Sequence, residues 1–212
     1  MAKFKTEQEL GFRPLIAPTS KIAPVKQIFS GYEIEKKFIL LTKEEDYTRN
    51  KNGVTLYDEV LCNGITIDQG YIKDIQEAVV ILGELGIDLN EFKPNTIRIR
   101  RFGDGFKNAG VSKYRYVLTL KDKKETKTRE AEFKLNEEQF NKYWPSTKGS
   151  RIFKKRMIKK IKGHDFELDA FMDRLLLLAE CEVNEEAALA KVPKLGNDVT
   201  NDKNWSNKAL SK

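Results

Sequence analysis

The stretch 31-GYEIEKKF-38 decides how the fold is interpreted, because charged and apolar residues alternate along it. Successive side chains of a β-strand point to opposite faces of the sheet, so Glu33, Glu35 and Lys37 share one face. Ile34 lies on the other face. A single charged pair of this kind is usually a solvent-exposed strand face. The alternative is that two carboxylates and an ammonium are directed together at a ligand.

The same spacing recurs on later predicted strands, which favours the second interpretation. The strand predicted at 174–183 is apolar on both faces over its first half, and this indicates burial on both sides. Carboxylates that continue such a strand must be paired, hydrogen-bonded or bound to a metal. The charged residues on these faces are the acids Glu33, Glu35, Glu130, Glu132, Glu167, Asp169, Glu180 and Glu182 and the bases Lys37, Arg98, Arg100, Lys121, Lys154 and Arg156.

Charges of both signs on these faces predict a ligand that also carries both signs. If the strands close into a barrel, one side of each strand faces inward. A metal ion complexed with a polyphosphate suits such an interior, because the metal takes carboxylate and phosphate oxygens while Arg and Lys bind the remaining phosphate oxygens. Hard oxygen ligands without Cys or His indicate Mg²⁺ or Mn²⁺.

The composition excludes several other classes of protein. The chain has 212 residues, of which 39 are Lys or Arg and 32 are Asp or Glu, giving a net charge of +7. This mixture differs from a purely basic nucleic-acid-binding arm. Two cysteines and one histidine argue against a structural zinc site and a disulfide scaffold. The chain starts without an apolar signal core, and its longest apolar run near the end is too short to span a bilayer. We therefore expect a cytoplasmic protein with no nucleic-acid or membrane partner.

The predicted organisation is one domain that follows an extension. Residues 1–30 contain three prolines and no clear periodicity, so we expect an N-terminal extension that packs loosely or stays mobile. Residues 31–212 are expected to form the domain, and apolar spacing through Ile75, Val79, Leu82 and Leu85 predicts a helical insertion near 73–93. Strands are predicted at about 32–41, 66–72, 96–102, 114–121, 127–135, 150–161, 165–172 and 174–183, a loop at 43–56, and short helices at 137–144 and 184–192 with Asn136 and Asn184 as N-caps.

In this order, the motifs resemble the CYTH superfamily, also called the triphosphate tunnel metalloenzymes, in its bacterial branch. The opening Glu-x-Glu-x-Lys pattern is followed by 68-DQGYI-72, 97-IRIR-100, 118-LTLK-121, 129-REAEF-133, 144-WP-145, 151-RIFKKR-156, 166-FELDAF-171, 179-AECEV-183, 198-DVTND-202 and 207-NKAL-210. The resemblance runs from about residue 31 to the end. It implies an α+β fold built on an eight-stranded antiparallel β-barrel, open at both ends as a tunnel, with flanking helices.

The resemblance also implies roles for individual residues. The metal would be held by Glu33, Glu35 and Glu182 with Glu180 close by, phosphates by Lys37, Arg98, Arg100, Lys121, Arg151 and Arg156, and a second metal, water or the basic residues by Glu130, Glu132, Glu167 and Asp169. Lys154 matches a lysine that is associated with catalysis in bacterial relatives. Arg151 is out of phase with Lys154 and Arg156, so an inward orientation would need a bulge.

The leading functional hypothesis is a divalent-metal-dependent triphosphatase that hydrolyses inorganic tripolyphosphate to pyrophosphate and phosphate. Lys37 or Lys154 would activate the attacking water, or both would only bind phosphate. The alternatives are an organic triphosphatase acting on thiamine triphosphate or a nucleotide, a class IV adenylyl cyclase-like enzyme, and a non-catalytic tunnel that binds a phosphorylated ligand. Ile28 and Phe29 stand where the cyclases carry a His-Phe pair, which argues against cyclase activity. We expect a monomer or a homodimer.

Overall fold

The computed structural model describes residues 23–43, 53–88, 94–103, 114–124 and 127–211. These residues form one antiparallel sheet of ten strands with helices packed against it. The strands are β1 (Lys26–Glu33), β2 (Glu35–Leu41), β3 (Ile65–Ile72), β4 (Thr96–Gly103), β5 (Tyr114–Lys124), β6 (Lys127–Leu135), β7 (Arg151–Ile161), β8 (His164–Phe171), β9 (Leu177–Glu182) and β10 (Asn197–Asp198).

The sheet is curled so that its two ends approach each other. Its strand order is β1-β6-β5-β4-β3-β7-β8-β9-β2-β10, so β1 and β2 stand near opposite ends. Yet only Ile34 separates β1 from β2 in the chain, and the two strands therefore meet at this residue. One extended segment thus pairs first with β6 and then, after Ile34, with β9.

This topology confirms the predicted antiparallel sheet with flanking helices, but the prediction of a closed eight-stranded barrel is wrong. Ten strands are present among the described residues, and no ladder there joins β1 to β2 or to β10. The difference arises because the strand predicted as continuous is broken at Ile34, and because Asn197 and Asp198 add a short strand at the edge of β2.

Most strand boundaries agree with the sequence pattern, but β5 ends three residues after its predicted end, β9 begins three residues after its predicted start, and the first strand differs most. β1 begins at Lys26, six residues before the predicted Tyr32, so the end of the expected extension belongs to the sheet. Residues 1–22 lie outside the described part of the chain. The prediction that the last long strand is buried on both sides is confirmed, since every residue from Leu176 to Cys181 is buried.

The described helices are α1 (Leu56–Asn63), α2 (Ile75–Glu84), α3 (Glu137–Tyr143), α4 (Glu186–Leu189) and α5 (Asn207–Leu210), with two 3-10 turns at Trp144–Thr147 and Lys203–Trp205. None of them is long and apolar enough to cross a membrane. Helix α1 was not predicted: it begins at the last residue of the predicted loop, and its start is fixed by a reciprocal capping box between Thr55 and Asp58. The prediction of Asn136 as N-cap of α3 is confirmed, whereas α4 begins after Glu185 and has no side-chain cap at Asn184.

Helix α2 covers the outer face of the sheet. Its buried side chains are Ala78, Ile81 and Leu82, and they join a cluster formed by the outer faces of β4, β5 and β6. Ile75 and Val79, which the spacing placed on the buried face, are 76% and 49% exposed. The prediction is confirmed for Leu82 and Leu85, which are buried, and wrong for Ile75 and Val79.

A second apolar cluster lies on the inner side of the sheet. It contains Tyr71, Ile152, Phe171, Leu176 and Leu178, and Trp205 and Leu210 pack against it. Leu178 shares the inner face of β9 with Glu180, so this cluster borders directly on the charged interior. The segment after β10 thereby covers part of one end of the curled sheet.

Candidate active site

The curled sheet encloses a cavity of about 990 Å³ whose walls carry charged side chains of both signs. Twelve of the fifteen predicted site residues line it. They are Glu33, Glu35, Lys37, Arg98, Arg100, Lys121, Glu130, Glu132, Arg156, Glu167, Glu180 and Glu182. The alternation along the strands therefore did predict which side chains come together.

One wall of the cavity is an ion-pair network on β1, β4, β5 and β6. Lys121 contacts Glu33 and lies 3.0 Å from Glu130 (Nζ to Oε2). Arg98 donates to Glu130 over 3.2 Å, and Arg100 pairs with Glu132. Burial opposes the charge of Lys121, but its acidic neighbours raise its pKa above the usual value. This lysine therefore stays protonated.

The opposite wall is a second network on β2, β7, β8 and β9. Lys37 Nζ lies 2.9 Å from Glu180 Oε1 and 3.1 Å from Glu35 Oε1. Arg156 reaches Glu180 over 3.2 Å and also pairs with Glu167. Burial alone would raise the pKa of Glu180, but Lys37 and Arg156 hold it well below its usual range. Glu180 is thus a charged, fully engaged partner of two bases.

Lys154 and Asp169 form a buried pair that does not line the cavity. The Nζ to Oδ2 distance is 2.5 Å, and the two side chains are 1% and 0% exposed. Arg156 donates to both oxygens of the same carboxylate over 2.6 Å. Asp169 is therefore fully engaged by two bases and does not line the cavity, and its role as a metal ligand stays a prediction. Burial outweighs Asp169 and, together with Arg156, lowers the pKa of Lys154 to about 8.

Arg151 is the predicted phosphate-binding residue that the structure does not bring to the cavity. Its side chain donates to Thr147 Oγ1 and to the Trp144 carbonyl, both over 2.9 Å, and its guanidinium lies 4.5 Å from the centre of the Trp144 ring. Strand β7 keeps continuous register with β3 from Arg156 to Arg151, so no bulge reorients this residue. The predicted inward placement of Arg151 is wrong.

Several uncharged polar residues of the site were not predicted. Thr119 lies between the two arginines of β4 and accepts from Arg98 over 3.4 Å and from Arg100 over 3.1 Å. Asn207 on α5 has its Oδ1 3.4 Å from Lys154 Nζ. Tyr71 lines the cavity beside Arg98. The signal for Tyr71 was available in 68-DQGYI-72, where it shares the inward face with Gln69, but no charge marked it.

Some of the positively charged groups and some of the negatively charged groups of the cavity are not fully compensated by their neighbours. The Nε groups of Arg98 and Arg100 are buried and have no hydrogen-bond partner among the described residues. Burial and the neighbouring Arg98 lower the pKa of Arg100 to about 10. Burial, followed by the negative charge of Glu180, raises the pKa of Glu35 to about 7. Burial, followed by the negative charge of Glu167, raises the pKa of Glu182 to about 7. The guanidinium groups fit an anion, and the carboxylates fit a cation.

The carboxylates of the cavity suit a metal ion, although they do not form a complete coordination shell by themselves. Within the described ranges, no three His, Cys, Asp or Glu side chains stand close enough together to hold a metal by themselves. Mg²⁺ usually takes only one or two carboxylates, keeps several waters and completes its shell with phosphate oxygens. Glu35 and Glu182, which face each other across β2 and β9, and the nearby Glu33 are the carboxylates best placed for this.

The fold and the site together define a class of protein in which a curled antiparallel sheet encloses a cavity lined by charged side chains of both signs. No family model matches the chain. It is 40% identical over 102 residues to the inorganic triphosphatase of Nitrosomonas europaea, an alignment that covers 45% of this chain and 68% of that protein. The chain belongs to the family of this inorganic triphosphatase, the CYTH or triphosphate tunnel family.

Two solved structures are also similar. The crystal structure of the inorganic triphosphatase NE1496 aligns with 84% of this chain and 93% of its own, at 27% identity and a TM-score of 0.48. A second crystal structure, described as the hypothetical protein NE1496, aligns with 84% of this chain and 97% of its own, at 26% identity and a TM-score of 0.47.

Proposed function

We propose that this protein is an inorganic triphosphatase that hydrolyses tripolyphosphate to pyrophosphate and phosphate with Mg²⁺ or Mn²⁺. The observation that carries the proposal is the cavity in which the Nε groups of Arg98 and Arg100 are buried without a hydrogen-bond partner, while the pKa values of the carboxyl groups of Glu35 and Glu182 are raised to about 7. A chain of phosphates with a bound divalent cation supplies acceptors for the arginines and a cation for the carboxylates. The 40% identity to a protein named inorganic triphosphatase supports the same reaction.

Substrate binding is expected to proceed by exchange of partners inside the cavity. Without a ligand, the bases are paired with acids, as in the contacts of Arg100 with Glu132 and of Lys121 with Glu33. A phosphate chain would take over the bases, and the released carboxylates would face the cation. Such an exchange leaves no buried charge without a partner, which is the costly condition in a protein interior.

The metal would be held by Glu33, Glu35 and Glu182 together with phosphate oxygens. When bound, it would neutralise phosphate charge and polarise the phosphoryl group. Lys37, Arg98, Arg100, Lys121 and Arg156 would hold the remaining phosphate oxygens, and arginine is suited to this because its planar fork can make two parallel hydrogen bonds.

In the chemical step, the oxygen of a water molecule would bond to the terminal phosphorus while the bond to the bridging oxygen breaks. Pyrophosphate leaves, orthophosphate forms, and the proton of the water passes to product or solvent. The bases of the cavity would position the chain and stabilise the charge that shifts to the leaving group. Both lysines have restricted roles: Lys37 keeps its proton because Glu180 and Glu35 raise its pKa, and the Lys154 ammonium is turned towards Asp169.

An organic triphosphate is the second candidate substrate, and the aromatic side chains in the cavity lining favour it. Phe102 lies between two guanidinium groups, 5.0 Å from Arg100 and 4.4 Å from Arg115. Phe29 and Tyr32 also line the cavity and are 47% and 65% exposed. Aromatic faces of this kind can stack on a planar ring.

The test is phosphate release from tripolyphosphate, thiamine triphosphate, ATP and GTP, each with Mg²⁺ and with Mn²⁺. The site variant is Glu33→Gln/Glu35→Gln, and the matched control is Glu84→Gln, which changes a carboxylate that binds Lys142 on the outer surface. Turnover of tripolyphosphate alone, lost only in the site variant, is the expected result. Preference for an organic triphosphate would move the function to that substrate. Binding without turnover of any substrate would leave a non-catalytic tunnel.

A further inference from the structure

Three positively charged residues stand together at one end of the curled sheet without an acidic partner. Lys26 on β1 is the direct cross-strand neighbour of Lys134 on β6, and Lys134 in turn pairs with Val117 on β5. Arg115, two residues before Val117 on the same strand, lines the cavity. We call Lys26, Lys134 and Arg115 the basic collar. All three residues are exposed, and among the ion pairs of the described residues none involves them.

The collar side chains belong to the inner face of the sheet. Tyr116, Phe133 and Leu135 alternate with Arg115 and Lys134 along β5 and β6, and these three are buried in the cluster that α2 covers on the outer face. Successive side chains of a strand point to opposite faces. Arg115 and Lys134 therefore have the same phase as the charged side chains of the cavity.

The collar lies at the end of the cavity opposite to the segment after β10. That segment reaches the other end through Lys208, whose Nζ donates to the Asn95 carbonyl over 3.0 Å. The next residue, Thr96, is the cross-strand partner of Lys121. Arg115 stands six residues before Lys121 on β5, which corresponds to about 20 Å along a strand. Positive charge therefore extends from the covered end of the cavity to the collar at the other end.

The lack of acidic partners distinguishes the collar from the rest of this cavity wall. Lys121 pairs with Glu33 and Glu130, and Arg100 pairs with Glu132. In the collar a lysine instead faces a lysine, and like charges directly opposite each other on a sheet are destabilising. An anionic ligand would supply the negative charge that the collar lacks in the free protein.

Phe102 connects the collar to the arginines deeper in the cavity. Its ring lies 5.0 Å from the Arg100 guanidinium and 4.4 Å from that of Arg115, and it packs with Ile67 and Val117. A guanidinium that stacks on a ring keeps the N–H donors in its plane available, and these donors match the oxygens of a phosphate group. Since two residues correspond to about 7 Å along a strand, both arginines could bind one phosphate chain at successive positions.

We propose that the basic collar is an outer subsite for the distal phosphate groups of linear polyphosphates longer than tripolyphosphate. The inference rests on the proposed function, because the first phosphates of such a chain must occupy the cavity. A tripolyphosphate is shorter than the distance of about 20 Å between Lys121 and Arg115, so it does not reach the collar when it binds at Lys121 and Arg98. A longer chain continues past Phe102 and takes the collar cations as its partners.

The first experiment measures by calorimetric titration with Mg²⁺ the affinity for tripolyphosphate and for a longer, size-fractionated linear polyphosphate. The collar variant is Lys26→Gln/Arg115→Gln/Lys134→Gln. The wild type should bind the longer chain more tightly than tripolyphosphate. The variant should bind the longer chain roughly tenfold or more weakly than the wild type, because hydrogen bonds between charged groups are lost. Its affinity for tripolyphosphate should change by no more than about twofold, because salt screens exposed charges at this distance.

The matched control is Lys148→Gln/Lys191→Gln/Lys194→Gln, which removes the same number of positive charges from exposed residues outside the cavity lining. It should bind both ligands as the wild type does. An equal loss of affinity for both ligands in the collar variant would show general electrostatic attraction and overturn the subsite. An unchanged affinity of that variant for the longer chain would overturn it as well.

The second experiment uses the repulsion between Lys26 and Lys134. Lys134→Gln removes one of two like charges, so without ligand this variant should unfold at a higher temperature than the wild type. Addition of the longer polyphosphate with Mg²⁺ should raise the unfolding temperature less in the variant, because weaker binding stabilises the folded state less. A lower unfolding temperature without ligand would show that Lys134 already has a stabilising partner and would contradict the proposal.

Hydrolysis of tripolyphosphate separates this inference from the proposed function. A wild type that binds both ligands but hydrolyses neither would refute the triphosphatase, and the collar would still be supported by a loss of chain-length preference in the collar variant. A wild type that hydrolyses tripolyphosphate but binds the longer chain no more tightly would refute the collar alone. A wild type that binds neither ligand would refute both.

Discussion

Lys37 and Glu180 face each other directly across β2 and β9, with 2.9 Å between Nζ and Oε1. Both side chains are nearly buried, at 9% and 6% exposure. Each keeps the other ionised: burial opposes both charges, but the pKa of Lys37 is raised by Glu180 and that of Glu180 is lowered by Lys37. The pair as a whole is therefore neutral, but Lys37 stays a cation next to the carboxylates that would hold a metal ion.

Replacing Lys37 by Met is expected to raise the KM for tripolyphosphate at least tenfold. The variant removes a buried cation from the phosphate site and leaves Glu180 to repel the substrate, and a buried pair that loses one partner typically costs several kcal/mol. Steady-state kinetics with Mg²⁺ measures the effect. Lys142→Met is the control, because Lys142 pairs with Glu84 on the surface. A KM within twofold of the wild-type value would contradict a phosphate-binding role for Lys37.

Replacing Glu35 by Gln is expected to raise the Mg²⁺ concentration needed for half-maximal activity by about tenfold or more. Divalent cations bind carboxylates in their charged form, and Gln offers only a neutral oxygen. The measurement is a Mg²⁺ titration of activity at fixed tripolyphosphate. Glu59→Gln is the matched control, since Glu59 pairs with Lys159 on the surface. If both variants require the same Mg²⁺ concentration, Glu35 is not a metal ligand.

Lys154 is expected to make the stability of the protein depend on pH in the alkaline range. Its pKa falls from the ordinary 10.5 to about 8 in the folded state because the ammonium is buried. Between these values the unfolded chain binds more protons than the folded one, so the contribution of this group to stability rises with pH. The free-energy difference between wild type and Lys154→Met should therefore shift in favour of the wild type from about pH 8 towards pH 10.

Chemical denaturation at pH 7, 8, 9 and 10 measures this difference, with a slope of at most about 1.4 kcal/mol per pH unit. Lys159→Met serves as control, because Lys159 is a surface lysine. A difference that stays constant over this range would mean that Asp169 keeps the Lys154 ammonium protonated.

The inward faces of the strands could be predicted because a strand has a period of two and its charged residues follow that period. This is why Glu33, Glu35 and Lys37 were correctly predicted to face the same cavity, Glu33 in one wall and the other two in the opposite wall. The same period places the Arg151 side chain on the outer face, because Arg151 is an odd number of residues from Lys154. A resemblance of motifs overrode the period there, and the structure follows the period.

Depth within the sheet and contacts between distant segments could not be predicted from the pattern. Lys154 and Asp169 have the inward phase, but both side chains are buried and neither lines the cavity. Asn207 reaches Lys154 only because the segment after β10 folds back over one end of the sheet. Tyr71 carries no charge, so the charge pattern did not mark it as a residue of the cavity lining. Periodicity describes a face and contains none of these distances.

Replacing Gly70 by Ala is expected to destabilise the protein by about 1 to 3 kcal/mol, the usual range for overpacking a dense interior. The added Cβ would lie 2.4 Å from the Thr147 side chain, which is fully buried and cannot move away freely. Gly83→Ala on α2 is the matched control, because no atom lies within 4 Å of its Cβ position. In a helix this change should stabilise the protein by about 0.5 to 1 kcal/mol. Denaturant unfolding of both variants measures their stabilities. Equal stabilities would show that the 3-10 turn at Trp144–Thr147 does not pack as tightly against β3 as the structure has it.

Gly70 adjoins Tyr71, which lines the cavity. The alanine variant should therefore also lower kcat/KM for tripolyphosphate, whereas Gly83→Ala should not.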